Sequence, residues 1–595
     1  MADNKISSVN EEHAESIGEV KKGVIDSMLI DTERSPEARG RLVDDVPRSY
    51  WVSGRFLGSY VAVILASNAG IGGFSLAAPV LSAVNNELGP SPNISWIGLS
   101  WLLCQGIGAL IVGRLSDIFG RRWMFITGSI IGLIGSIFAS QCQTVEQLIG
   151  ATTILGIGGG IQVNFWWVTS EIVPMKYRYV AVAGCFALAP YSHLGSKIAY
   201  SLLTQTSPGW RSIYYLLIAT NAASVAAWYS FYHPPTFKML HRHRAAKDLL
   251  TTFDWLGLVL YIGSTITFLM GLQWGGALHP WKSAHVIGAM LAGAAGLAIF
   301  IGWEIYLPRK SQNIIPFVTL YYLRNFNWLC STILSGVGGS AYYGFSTIWP
   351  SAVSTIYSVP SHSQYSTLLC LVTMSYTYGQ ATATLATHWT GPKPLLITCM
   401  VISGPILAAV AYNPLNMSLT MGLITVGCIF IGGMEGIALV TTTFPLRTQE
   451  EIGSAGGLSG TIRLFFSCVS LAIYGTTLTN RLATTIPANI LPAMADAGLP
   501  SSSIPALLSG LSGATALNET TVAGLNPHIL SIAQTAYRVA NAQAYRTVFL
   551  VSLAFTGPGM ILVWFTSQND RAKEDLIAGH LHKRGEERTL ETQAD

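Results

Sequence analysis

The chain has 595 residues, of which 50% are hydrophobic and only 11% charged, with a mean hydropathy of +0.44. Soluble domains carry about 25% charged residues, so the composition excludes a water-soluble globular protein, and a net charge of +4 leaves no basic footprint for nucleic acid. The eight cysteines all fall in or beside apolar runs with no close pair, which argues against a disulfide framework or a metal site and for small buried apolar side chains.

Residues 1–53 are polar, without the apolar run of a cleaved signal, and are expected to form a disordered cytosolic N-terminal tail. A membrane-crossing helix needs roughly 20 apolar residues to cover about 30 Å of hydrocarbon. That window predicts fourteen spans, at 56–83, 94–114, 123–141, 147–171, 178–202, 211–232, 255–275, 284–306, 327–349, 365–387, 395–413, 418–443, 456–478 and 546–567. Runs of this length exclude a membrane β-barrel, whose strands alternate over about ten residues. The predicted class is an all-α polytopic membrane protein.

An even number of spans puts both termini on one side. With the termini in the cytosol, 27 of the 34 Lys and Arg residues face inward and five outward, which favours that orientation. The sequons at Asn93, Asn416 and Asn518 all fall in predicted external loops, and Asn518 alone stands far enough from a span to be a glycosylation candidate. The cytosolic loop 233–254 is basic and reads as a topology lock, with lipid headgroup contact as the alternative. The external loop 479–545 contains Pro487, Pro492, Pro500 and Pro505 with short apolar clusters between them, and is expected to form short helices capping the outer mouth. A C-terminal cytosolic tail follows at 568–595.

Between spans 2 and 3 stands Gly113-Arg-Leu-Ser-Asp117-Ile-Phe-Gly120-Arg121-Arg122. The glycines permit close helix approach and a tight turn. Asp117 can pair with the arginines, and such a cytosolic charge cluster can latch two helix bundles in one arrangement and release them in another. The segment resembles the signature loop of the major facilitator superfamily. Glu171-x-x-Pro174 with Arg178, and Trp210-Arg211, are similar to the fourteen-span drug:proton antiporter branch. Gly89-Pro-Ser-Pro-Asn93, His233-Pro-Pro-Thr-Phe, Trp274-Gly-Gly, Pro280-Trp-Lys-Ser-Ala-His285, and Glu435 followed by Ile452-Gly-x-Ala and Arg463 resemble the fungal trichothecene efflux pump and siderophore transporter group.

The resemblance covers about residues 50–570. It implies a major facilitator fold: a six-helix bundle at 54–232, two inserted helices at 255–306, and a second six-helix bundle at 307–567, with alternating access about a midplane site. Two positions depart from the family pattern: Thr152 stands where an arginine linked to proton coupling is usual, and Ala189 replaces a glycine of the span 5 antiporter motif ahead of Pro190. Both departures bear on proton antiport and neither bears on the fold. A helix kink is expected at Pro190.

Polar residues inside spans are costly and are functional candidates. Glu435, mid-span 12, must be paired or protonated; it suits proton coupling, a substrate cation, or a structural hydrogen bond. Arg463 in span 13 can pair with it or with a carbonyl. Lys197 and His193, in the outer half of span 5, either face the cavity or, for Lys197, snorkel to the interface. Glu171 and Arg178 at the cytosolic surface read as a gate or structural ion pair. Asn68, Gln105, Asn164, Trp166 and Gln380 are candidate cavity residues, with Trp167, Asn221, Tyr342, Tyr343 and Tyr376 as further possibilities.

No catalytic constellation, metal site or phosphate-binding loop stands out, so enzymatic activity, a cofactor and ATP-driven pumping are not expected. The expectation is a monomeric secondary transporter in the plasma membrane, with a vacuolar or vesicle membrane as the alternative. By resemblance it exports a small organic toxin or fungal secondary metabolite in exchange for protons. Siderophore-iron uptake and a transporter-like receptor are the alternatives.

Overall fold

The computed structural model describes residues 41–42, 46–89, 91, 93–235, 253–275, 279–310, 321–357, 359, 361–446, 449–511, 522–567, 576–577 and 581. Asn518, the tail before residue 41, most of loop 233–254 and the Asp117 side chain lie outside the described residues.

The helices run α1 (Gly54–Ser75), α2 (Leu81–Leu88), α3 (Trp96–Phe119), α4 (Arg121–Gln141), α5 (Val145–Gln162), α6 (Phe165–Ile172), α7 (Arg178–Ala187), α8 (Pro190–Gln205) and α9 (Arg211–Phe231). They continue as α10 (Trp255–Trp274), α11 (Ala284–Lys310), α12 (Tyr321–Arg324), α13 (Phe326–Ile356), α14 (His362–Leu369), α15 (Leu371–Thr390), α16 (Pro392–Ala409) and α17 (Met417–Thr441). The last are α18 (Gln449–Asp496), α19 (Ile504–Leu511), α20 (Pro527–Val551) and α21 (Leu553–Leu562). Side chains start many of them: Ser53, Thr144, Asn325, Asn416 and Asn526 each accept a hydrogen bond from the backbone N–H three residues on, satisfying a donor that the first turn leaves open. Asn416, one of the sequon residues, is thus engaged as a helix cap.

Among the described residues, ten helical stretches are long and apolar enough to cross a membrane. The other four expected spans are helical too, as α7–α8, α9, α13 and α15, but they are rich in Ser, Thr, Tyr and Gly. The physical reason is clearest in α13, which is buried along most of its length and meets other helices rather than lipid. The inserted pair α10 and α11 is the converse, with only 33% and 17% of its apolar windows buried.

The packing falls into two groups. In the first, α3 and α4 pack on α5, and α9 packs on α4 and α1. In the second, α17 packs on α15, α16 and α13, while α18 packs on α13 and α20. The groups meet where α3 lies along α18 and where α7 and α8 lie along α15, and α10 attaches the inserted pair to α18. Close approach of α3 and α18 depends on glycine: a Cβ on Gly113 would stand 2.8 Å from the Gly453 carbonyl oxygen and 3.1 Å from Gly457 Cα. Gly120 alone joins α3 to α4 at φ +83°, a conformation that side chains disfavour, and Gly391 joins α15 to α16 in the same way at φ +80°.

Two features were not expected. First, the segment 479–545 is built mainly by continuation of its flanking spans: α18 extends to Asp496 and α20 begins at Pro527. With α19 they enclose a second apolar core around Ile490, Met494, Leu507 and Ile529, separate from the main one. The added apolar faces of α18 and α20 pack on each other, so the helices persist beyond the bilayer. Second, strand β1 (Arg41–Leu42) pairs antiparallel with β2 (Leu576–Ile577), so the two tails meet at one end of the molecule, here called the tail side.

Candidate functional site

The α3–α4 turn stands on the tail side. Gly120 delivers Arg121 directly into the first turn of α4, where its guanidinium forms a buried ion pair with Glu171 in the last turn of α6. Both side chains are only 1% exposed. The guanidinium also lies 4.8 Å from the Trp167 ring centre, a cation–π contact. A Cβ on Gly453 would come within 2.6 Å of Arg121 Nη2, so α18 rests directly on this pair. The described acidic partner of Arg121 is therefore Glu171. Arg122 turns the other way and donates to the Tyr229 carbonyl at 2.7 Å, fastening α4 to the end of α9.

Arg178 acts across the two groups. Fully buried, it donates from Nη1 to the Thr443 carbonyl at 2.6 Å and lies 5.6 Å from the Phe444 ring. Its neighbour Tyr179 bonds Thr441 Oγ1 at 3.0 Å and stacks on Phe444 at 5.1 Å. The predicted gate residues thus divide the work: Glu171 holds Arg121 within the first group, and Arg178 seals the first group to the second. The contact at Thr443 gave no sequence signal, because Arg178 takes a backbone carbonyl.

The other end is closed between α8 and α15. Thr373 donates to the His193 carbonyl at 3.4 Å, Thr377 to the Ser192 carbonyl at 3.3 Å, and the Lys197 N–H to Cys370 Sγ at 3.0 Å. His193 and Lys197 belong to this seal and do not line the central cavity. Pro190 opens α8 after a break at Leu188–Ala189. Asn68 mends the break: its Nδ2 donates to the Leu188 carbonyl at 3.2 Å, and its Oδ1 accepts from the Tyr191 N–H at 3.3 Å.

Between the seals lies a cavity of about 30 Å³, with Trp166, Phe186, Tyr342, Tyr343, Tyr376 and Arg463 among its walls. That is room for one or two waters, well below the several hundred Å³ a small organic ligand occupies. The chain is therefore in an occluded arrangement. Behind the wall sits Glu435, wholly buried in α17. Arg463 Nε donates to its Oε1 at 2.5 Å, while Gln380 Nε2 at 2.8 Å and the Tyr376 hydroxyl donate to Oε2. Charge-assisted bonds of this kind are what make a carboxylate tolerable at such depth.

The network reaches the other group. Arg463 stands over the Tyr343 ring at 5.6 Å, Tyr343 donates to Gln105 Oε1 at 3.4 Å, and Gln105 donates to the Gly70 carbonyl at 3.3 Å. Glu435, Arg463, Gln380 and Gln105 are thereby brought together. Trp166 is a wall, and the buried Asn164 Nδ2 donates to the Gly160 carbonyl at 2.6 Å where α5 gives way to α6. Thr152, in the position of the family arginine, bonds the carbonyls of Leu148 and Ile149 at 2.9 and 3.0 Å. Phe186 and Leu439 also line the cavity, and their apolar character gave nothing to distinguish them from lipid-facing residues. All eight cysteines are free and buried.

A family profile described as fungal trichothecene efflux pump (TRI12) matches residues 21–591. The trichothecene efflux pump TRI12 of Fusarium sporotrichioides is 25% identical over 548 residues, covering 88% of this chain and 89% of that protein. The MFS-type transporter prx5 of Penicillium rubens is 25% identical over 546 residues, covering 89% and 95%. Among solved structures, the human organic anion transporter MFSD10 (TETRAN) is similar with a TM-score of 0.53 at 10% identity, over 85% of this chain and 99% of that one, a likeness of fold. With helices packed in two groups around an occluded polar centre, and a profile match that runs almost end to end, the chain belongs to the fungal trichothecene efflux pump family of major facilitator transporters.

Proposed function

We propose that the protein exports a small organic toxin or fungal secondary metabolite by alternating access, driven by proton entry. The observation that carries this reading is the buried Glu435–Arg463 pair behind a cavity sealed at both ends. The names of the relatives, efflux pumps among them, support export.

Protonation of Glu435 removes the charge that holds Arg463, Gln380 and Tyr376 in place, and the wall of the cavity must rearrange. Opening on the tail side requires Arg178 to leave Thr443 and α3 to part from α18. The Gly113, Asp117, Gly120, Arg121 and Arg122 segment, anchored to Glu171, latches that side shut. In this reading the tail side is cytosolic, residues 54–232 and 307–567 are the two moving bundles, 255–306 is a lipid-facing insertion, and the monomer resides in the plasma membrane.

Purified protein in proteoliposomes tests it. An inward-acid pH gradient should drive uptake of the metabolite whose export from cells is lost on gene deletion. Flux indifferent to the gradient would sink the proton role, and unchanged metabolite partition after deletion would sink the export role.

A further inference from the structure

Among the described residues a larger cavity than the central one lies on the tail side. It is a groove of about 630 Å³ between the segment leading into α1 and the link from α6 to α7. Its walls are apolar, with Trp51, Phe56, Tyr177, Pro174 and Val180 prominent, and Arg48 is its one charged lining residue. Trp51 and Phe56 pack edge-on at 5.1 Å, and Tyr177 stays 45% exposed. Such aromatic groupings mark the membrane–water interface.

Two further observations identify an occupant. Leu57 and Val61, the next turns of α1, are 49% and 48% exposed, so α1 presents apolar surface immediately beyond the mouth of the groove. The polar edge is cationic. Arg48 is exposed on the groove's lining and has no acidic partner among the described residues, and the half-exposed Arg55 follows in the first turn of α1. The Lys176 ammonium stands 5.2 Å from the Tyr177 ring. A soluble metabolite offers no chain for the apolar floor, and a neutral lipid offers no charge for the rim.

We propose that this groove binds an anionic phospholipid of the tail-side leaflet, with an acyl chain along Trp51, Phe56 and Val180 and the phosphate at Arg48. The site adjoins the link that carries Arg178, so its occupant presses on the segment that closes the tail side. Its test does not depend on transport.

The full chain is placed in phosphatidylcholine nanodiscs with a small fraction of phosphatidylserine carrying a photoreactive group in its chain, and cross-linked peptides are mapped. Labelling should concentrate on residues 46–56 and 173–181, and unlabelled phosphatidylserine should compete while inorganic phosphate should not. Arg48→Gln should lower labelling about fivefold, the effect of roughly 1 kcal/mol for one cation near an anionic surface. Val180→Trp, which fills the groove and leaves the rim intact, should abolish it. Equal labelling by a phosphatidylcholine probe, labelling unaffected by both substitutions, or competition by phosphate would each overturn the proposal.

Discussion

Glu435 takes three donors from three side chains on two other helices, and each donor can be removed separately. Glu435→Gln keeps the shape but leaves Arg463 buried without its counter-charge, a loss of about 3–5 kcal/mol. The expected result is loss of pH-driven flux together with a lower unfolding temperature. Adding Arg463→Gln should recover most of the stability and none of the proton drive, which a double-mutant cycle by thermal unfolding and flux assay resolves. Tyr376→Phe removes one bond to a charged group, about 1.5–3 kcal/mol, and should weaken rather than abolish transport. Sequence reading singles out Glu435, Arg463, Gln380 and Gln105, because a polar residue in an apolar run stands out. It could not say that Asn68, equally conspicuous, mends the Pro190 break, or that His193 and Lys197 join the seal between α8 and α15. Polarity marks a need for partners, and only the fold chooses them.

At the scale of elements, glycine governs how close helices come and how sharply they turn. Gly120→Ala places a side chain at φ +83°, at a cost of order 1–3 kcal/mol, and should misplace Arg121 from Glu171. Gly113→Ala introduces a Cβ against the backbone of α18 and should push α3 and α18 apart. Increased reactivity of a cysteine introduced at Leu439 toward a tail-side thiol reagent would register the separation. Helix positions were largely legible in advance, since continuous apolar runs have no other physical solution in a bilayer. Their ends were less so. The α18 and α20 extensions have mixed polarity because they are half-buried against each other, and a search for uniformly apolar runs stops where they leave the lipid. The reverse holds for α13 and α15, where Ser335, Ser340, Tyr342, Tyr343, Thr373 and Tyr376 face protein.

For the whole molecule, the two seals act in opposition, and weakening one should shift the population toward opening on that side. Arg178→Ala removes a bond between the groups and should raise tail-side accessibility of the cavity. Asp117→Asn should cut flux with surface abundance unchanged; normal flux in that variant would refute a latch role for the segment.

The length of α18 has a mechanical consequence. Its 48 residues extend roughly 72 Å, more than twice the hydrocarbon thickness of about 30 Å. Arg463 lies roughly 21 Å from the Gln449 end of this rod, and Met494 in the second core lies roughly 45 Å further along. A small tilt of the rod at Arg463 therefore sweeps its far tip through a larger arc, so that a pair of spin labels on that tip and on α2 would read out each transport cycle as an amplified change in distance.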